Sequence, residues 1–148
     1  MTMNMDTKRI QRIAESVMAD FGPQYRSLND AAKAQGLTEL EKGNTAIYYW
    51  KNSFARDALM GYDWLKERGL LPTPETVRKN YVLLGKVYGR GMDELYRTLQ
   101  GEIWSPNGEA NKLIRSRGLG HTSMSVGDIV WKGNKAWIVD RIGFEEIW

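Results

Sequence analysis

The sequence has no cysteine, a single histidine and no run of about 18 apolar residues. Without cysteine the chain can form neither disulfides nor thiolate metal sites, and thiol catalysis is excluded. A metal site at His121 would need several carboxylates around it, and no spacing of acidic residues indicates such a group. We therefore expect no metal and no cofactor. The lack of a long apolar run predicts that no helix spans a membrane, and the absence of a signal-like start predicts a cytoplasmic protein.

Positive and negative charges are nearly balanced along the chain. Lys and Arg outnumber Asp and Glu by ten to nine in residues 1–70 and by eleven to nine in residues 71–148, for a net charge of +3. This balance excludes a strongly acidic mimic of nucleic acid, and it falls short of the dense positive field of a dedicated DNA-binding protein. The compositional excess is in tryptophan, with six in 148 residues. Tryptophan is common both in small cores and at interfaces.

Residues 1–72 are predicted to form a helical region. Apolar residues recur at the spacing of one helical face over residues 10–21, and the Gly-Pro pair that follows ends this helix. Capping residues and terminal glycines indicate two shorter helices, over residues 27–36 and 38–43. The amino-terminal half therefore reads as helices without strands.

The longest helix of this region is predicted to begin near Asn44 and to end at Gly69. Its apolar face would consist of residues at helical spacing, namely Ile47, Trp50, Phe54, Ala58, Tyr62 and Leu65. Tyr48, Tyr49 and Trp64 extend the apolar surface beyond this face. Two interpretations remain open, a helix buried on two sides or an exposed aromatic patch that binds a partner. Tyr48, Tyr49 and Trp64 are therefore candidate partner-binding residues.

A proline-rich segment, residues 70–74, is the predicted boundary to a second region over residues 73–148. The two regions can also pack as one globular unit. Residues 81–88 are β-rich with apolar residues on both faces, which suits a central strand packed on two sides. Two short helices are indicated, over residues 93–101 and 105–118. The predicted fold class is α+β, with a helical amino-terminal half and a small antiparallel sheet with two short helices in the carboxy-terminal half.

The strongest local signal is a hairpin near the carboxyl end. Segments 129–132 and 135–139 flank the two-residue loop Gly133-Asn134, and this loop length opposes Lys132 to Lys135 and sets every other pair. Both faces of the hairpin would be largely apolar. It should therefore be sandwiched against helices or curled into a small barrel, with residues 144–148 as a third strand.

Two stretches of the carboxy-terminal region resemble a known module. Residues 120–130 read GHTSMSVGDIV and are followed by Asp140 and by Gly143-Phe144-Glu145, while residues 100–110 upstream read QGEIWSPNGEA. They resemble the YodL-like module, which recurs in proteins of phages, plasmids and conjugative elements. The resemblance extends from Tyr81 onward. It implies a small accessory protein that binds host machinery. A host defence complex, as for anti-CRISPR or anti-restriction proteins, is one candidate partner.

The resemblance implies no catalytic residues. His121, Ser123 and Asp128 are the residue types of a nucleophile set, but they lie within eight residues ahead of a strand. They also lack the Gly-x-Ser-x-Gly elbow and an evident oxyanion loop. We therefore expect no catalytic site, and we interpret the matched residues as determinants of turns and core.

A cluster of basic residues lies between residues 112 and 141, with six Lys or Arg against Asp128 and Asp140. The candidate partner-binding residues in and around it are Arg115, Arg117, His121, Lys132, Lys135 and Arg141. With Trp131 and Trp137 interleaved, the cluster could follow a nucleic-acid backbone and stack bases. The alternative is a solvated helix end together with an exposed hairpin tip.

The leading hypothesis from the sequence is a non-enzymatic protein of a phage or another mobile element, in the cytoplasm of a bacterial host. It would act by binding a host protein. The alternative is a nucleic-acid-binding accessory protein that uses the basic carboxy-terminal patch.

Overall fold

The structure of the protein, a computed structural model, describes residues 43–87 and 91–148. Within them, five strands form one antiparallel sheet in the order β2-β1-β3-β4-β5. The strands are β1 (Thr45–Trp50), β2 (Tyr81–Val87), β3 (Ile129–Lys132), β4 (Lys135–Val139) and β5 (Phe144–Glu146). The α-helices are α1 (Ala55–Ala58), α2 (Tyr62–Glu67), α3 (Pro74–Asn80), α4 (Met92–Thr98), α5 (Gly101–Trp104) and α6 (Asn111–Ser116), and a 3-10 turn covers Asn52–Phe54. The helices predicted before residue 43 lie outside the described residues.

The prediction of a helix beginning near Asn44 was wrong, because residues 45–50 form β1. This strand pairs with β2 on one side and with β3 on the other, and both pairings are antiparallel. A strand that is covered on both faces has apolar residues at consecutive positions, so it also satisfies the spacing of a helix. The helical part begins only at Ala55, and Gly61, at φ +94°, separates α1 from α2.

β2 was predicted as a central strand, but in the described sheet it lies at the edge. β1, β3 and β4 each lie between two neighbours in this sheet, whereas β2 is next to β1 alone. The strand itself was predicted correctly, and its pairing with β1 contains an irregularity between Ile47 and Tyr48. Because β1 and β2 lie on opposite sides of the proline-rich segment 70–74, the described parts of the two predicted regions share one sheet.

The predicted hairpin is confirmed in every pair. Lys132 lies opposite Lys135 and Ile129 opposite Ile138, as the two-residue loop requires. The third strand is confirmed as β5, which pairs with β4 and places Phe144 opposite Val139. The carboxy-terminal part is therefore α+β with an antiparallel sheet, as predicted.

Each face of the sheet packs against its own group of helices. One core contains Ile47, Tyr49 and Val130 together with buried residues of α4, α5 and α6. The other contains Trp50 and Ile129 with buried residues of α1, α2 and α3. Successive side chains of a strand point to opposite faces, so β1 and β3 contribute to both cores. The hairpin is thus sandwiched between helices, which was the first of the two predicted arrangements.

The helices of the carboxy-terminal region were predicted in part. α4 begins one residue before its predicted segment, at Met92, and α6 falls within its own, although it begins at Asn111 and not near Ser105. α5 was missed, because Gly101 was predicted to end the preceding helix, whereas it is the first residue of α5. Helices of four to seven residues are not stable alone in water, so packing on the sheet stabilises them.

Gly127, just before β3, lies where the loop touches α1. Its φ is +95°, and a Cβ there would lie 2.6 Å from the Ala58 carbonyl oxygen and 2.7 Å from the Ala58 Cβ. Gly133 in the hairpin turn also has a positive φ, +63°, but a Cβ there would meet nothing within 4 Å. A side chain at Gly133 would therefore meet backbone strain alone, whereas a side chain at Gly127 would meet both strain and a steric clash.

We expect Gly127→Ala to destabilise the fold more than Gly133→Ala, as measured by urea denaturation. The positive φ should cost about 1–2 kcal/mol in either variant, and the clash with Ala58 should add about 1–3 kcal/mol in Gly127→Ala. Equal losses in the two variants would show that the contact between the loop and α1 is not close in solution.

Candidate functional site

Four aromatic side chains hold the loop that precedes β3, residues 120–128, which we call the anchored loop. Thr122 O accepts hydrogen bonds from Tyr49 Oη at 2.8 Å and from Trp104 Nε1 at 3.2 Å. Val126 O accepts from Trp50 Nε1 at 3.0 Å, and Gly127 O accepts from Tyr81 Oη at 2.7 Å. All four rings are buried. Tyr and Trp combine a large apolar ring with one polar atom, so they fill the core and satisfy loop carbonyls together. Part of the aromatic excess therefore serves this loop.

Within the anchored loop, His121 and Asp128 form a buried pair. His121 Nε2 lies 2.9 Å from Asp128 Oδ2 and 3.1 Å from Oδ1. The carboxylate is fully buried and also accepts the backbone N–H of Trp50 at 3.0 Å and that of Ser125 at 2.8 Å. Each carboxylate oxygen thus accepts one backbone N–H. This arrangement connects the end of β1 to both ends of the loop.

The His121 ring is enclosed by two aromatic rings. Its centroid lies 3.8 Å from that of Trp50 and 4.4 Å from that of Tyr49, with interplanar angles of 19° and 17°. Two rings at these distances can only lie on opposite faces of the imidazole. Only about 12% of the His121 side chain is exposed, so the ring is part of the core and not of a surface.

Burial raises the pKa of the Asp128 carboxyl from its ordinary value of 3.8 to about 6. The hydrogen bond and the charge of His121, and the N–H groups of Ser125 and Trp50, act in the opposite direction, because they favour the charged form. Burial also raises the pKa of the Tyr49 and Tyr81 hydroxyls well above 10, and the nearby Asp128 charge adds to this effect. Both hydroxyls therefore remain protonated donors to the anchored loop.

The His-Asp pair does not continue into a catalytic set. Ser123 Oγ accepts the backbone N–H of Gly101 at 2.6 Å, and Ser125 Oγ donates to Ser123 O at 3.0 Å. In the described chain the buried His121 Nδ1 has no hydrogen-bond partner. The contacts that the pair makes among the described residues therefore position the loop.

The structure places the basic candidates at separate sites. Lys132 and Lys135 are opposed at the hairpin tip, and Lys135 Nζ forms an exposed ion pair with Glu146 at 3.0 Å. Arg141 follows the other end of β4, so it lies roughly 20 Å from Lys135 at about 3.3 Å per strand residue. Arg115 and Arg117 lie in the last turn of α6 and just after it. The six candidates do not form one continuous patch, because His121 is internal and Arg141 is distant from the tip.

The three aromatic candidates also separate, because Tyr48 and Tyr49 lie on β1 and only Trp64 lies on a helix. Tyr49 is fully buried and faces the core with α4–α6, so it does not form a binding surface. Tyr48 faces the other side of the sheet, where its ring lies 5.9 Å from that of Trp131. Trp64 is on α2, half-buried, with the Arg68 guanidinium 3.9 Å from its ring centroid. Trp64 borders a cleft.

This cleft was missed in the sequence and lies between α2 and the loop from Asp140 to Gly143. Its volume is about 580 Å³, and we call it the Ile142 cleft. Its apolar lining consists of Met60, Tyr62, Trp64 and Ile142. The loop is closed by Asp140 N–H donating to Gly143 O at 2.9 Å, and Arg141 Nη2 donates to Met60 O at 3.4 Å. The one signal for this cleft in the sequence was Ile142, an apolar residue next to Gly143, the glycine that predicted the bend.

Neither a metal site nor a membrane-spanning helix is found in the described part of the chain. No three or more His, Cys, Asp or Glu side chains converge there in a geometry that could hold an ion. None of its helices is long and apolar enough to cross a bilayer. The arrangement that remains is a rigid buried anchor and an open cleft.

We expect Asp128→Asn to destabilise the fold by about 1–3 kcal/mol in urea denaturation. An asparagine side chain has one accepting oxygen, so its amide would face the N–H of either Trp50 or Ser125. Asp93→Asn is the matched control, because Asp93 is exposed in the first turn of α4, and it should change stability by no more than about 0.5 kcal/mol. An unchanged stability in Asp128→Asn would contradict the role of the carboxylate as an anchor.

We further expect the Asp128 carboxyl to titrate near pH 6 in a carbon-13 NMR titration of the folded protein. Between pH values of about 4 and 6, the folded chain would hold a proton that the unfolded chain has released. The Asp128 contribution to the free energy of unfolding should therefore decrease as the pH rises through this window. A midpoint close to 4 would mean that the carboxyl is not buried as described.

Comparisons of the chain with family models, with curated proteins and with solved structures find no match at the significance required.

Proposed function

We propose that this protein is a non-enzymatic accessory protein of a phage or another mobile element, and that it acts by binding a host protein in the bacterial cytoplasm. The resemblance of residues 120–130 to the YodL-like module supports the class of protein. A host defence complex is one candidate partner on the same ground. The binding surface that the geometry supports best is the Ile142 cleft.

One observation carries the proposal, namely that the Ile142 side chain is 91% exposed at the tip of a closed loop. Single exposed apolar residues are common on soluble proteins, whereas neighbouring ones form a patch that favours a partner. Met60, whose carbonyl accepts from Arg141, is 40% exposed, and Leu59 beside it is 46% exposed. The loop and the end of α1 thus present apolar side chains together.

The anchored loop supports the non-enzymatic part of the proposal. Its one histidine is stacked between Tyr49 and Trp50, and its carboxylate partner is satisfied by backbone N–H groups. Such a pair makes the loop rigid, and a rigid scaffold suits a binding surface, because little ordering entropy is then lost on association.

The test compares three forms of the full chain as bait in a bacterial lysate. They are the wild type, Ile142→Asp and the double variant Lys132→Glu/Lys135→Glu. Because Ile142 is almost fully exposed, Ile142→Asp should change stability by no more than about 0.5 kcal/mol, which thermal unfolding can verify. We expect a host protein that the wild type and the lysine variant capture and that Ile142→Asp loses, and its binding should be reproduced with the purified protein.

Two outcomes would overturn this proposal. Capture that survives in Ile142→Asp would place the binding surface elsewhere. Recovery of nucleic acid that depends on Lys132 and Lys135, and that weakens steeply with salt, would favour the alternative of a nucleic-acid-binding protein.

A further inference from the structure

We infer that the Ile142 cleft takes a basic segment of its partner protein, with a lysine or arginine side chain beside an apolar one. This inference rests on the proposed function and specifies the chemistry of the partner. It follows from three properties of the cleft, namely its local charge, the availability of its carboxylates and the nature of its apolar wall.

The local charge of the cleft is opposite to that of the whole chain. Four carboxylates line it, those of Asp63, Glu67, Asp140 and Glu145, against the single guanidinium of Arg141. Lys66 and Arg68, which lie against the lining rings of Tyr62 and Trp64, reduce this negative excess without reversing it. The chain as a whole carries +3. Charges of one sign in a cleft attract the opposite sign and repel their own. A positively charged partner segment is therefore favoured here, and a nucleic-acid backbone is disfavoured.

The carboxylates at the rim are available to a partner. Among the described residues, no basic side chain lies within 4 Å of the carboxylate of Asp63 or Glu145. Glu67 has only a long, exposed contact with Arg68, at 3.8 Å, which contributes little in water. Asp140 uses Oδ1 to accept the N–H of Tyr62 at 3.2 Å, and this contact fixes the carboxylate at the base of the cleft.

The aromatic wall already accepts cations from this chain. The Arg68 guanidinium lies 3.9 Å from the centroid of the Trp64 ring, and Lys66 Nζ lies 5.8 Å from that of Tyr62. Aromatic faces attract Lys and Arg through their quadrupole. Because Arg68 and Lys66 make these contacts themselves, a partner cation would bind a rim carboxylate and would compete with them for the ring faces.

The exposed Ile142 distinguishes a protein segment from a small cation. A free amine or a metal ion would satisfy the carboxylates but would leave this side chain in water. A segment that also carries an apolar side chain covers Ile142 and Met60, and burial of this apolar area stabilises the complex. The occupant that satisfies both features is a basic and apolar stretch of a protein.

The test selects a phage-displayed library of random twelve-residue peptides on the immobilised full-length chain. The selected peptides are then measured against Ile142→Ser, which adds no charge, the neutralising variant Asp63→Asn/Glu67→Gln and the matched control Glu75→Gln/Glu102→Gln. The control removes two exposed carboxylates outside the cleft. We expect selected peptides to be enriched in Lys or Arg together with Leu, Ile, Met or aromatic residues.

Binding of these peptides should be lost in Ile142→Ser and should weaken about 2- to 30-fold in the neutralising variant, since two exposed ion pairs together contribute about 0.4–2 kcal/mol. The control should bind as the wild type does. Peptides that require Ile142 but are not basic, or that bind the neutralising variant unchanged, would overturn the inference and leave the proposed surface intact. Selected peptides that bind Ile142→Ser as well, or no selected peptides, would overturn both.

Discussion

A carboxylate without solvent contact must find its hydrogen-bond donors inside the protein, and Asp128 finds them on three segments. Trp50 donates from the end of β1, Ser125 donates from the middle of the anchored loop, and His121 donates through Nε2 from the start of it. Two of the three donors are backbone N–H groups, so the carboxylate sets the position of the main chain itself. The stacking of His121 on Trp50 and Tyr49 depends on the same contacts. The loop, the end of β1 and the start of β3 are therefore held as one unit.

The second constraint on this fold is a sheet whose two faces are both covered. β1 and β3 must then present apolar side chains at consecutive positions, which explains the aromatic run at the end of β1. The six short helices gain their stability from this sheet and not from their own length. Gly127 allows the loop to pass close to α1 where any side chain would meet Ala58. The interior is thus determined by close packing around a small number of polar contacts.

The surface of the protein has a different character at the two ends of β4. The hairpin tip carries Lys132 and Lys135, and the loop after β4 carries Ile142 beside an acidic cleft. The first end suits phosphates and acidic side chains, whereas the second suits a basic and apolar protein segment. Our proposals assign the binding function to the second end, because exposed apolar area lies there. The rigid anchored loop belongs to the core between them and contributes no exposed histidine.

The sequence by itself determined the features that depend on neighbours in the chain. A two-residue loop sets the register of the β3–β4 hairpin through local geometry, so every pair was predicted correctly, and β2, β5 and α4 followed from local patterns. Only the tertiary structure decided that residues 45–50 form a strand, because burial on both faces removes the alternation that distinguishes a strand from a helix. The same holds for the site. His121 and Asp128 were noted as residue types, but their burial depends on rings more than 70 residues away in sequence. The Ile142 cleft combines α2 with a loop some 75 residues later, so no local pattern could reveal it.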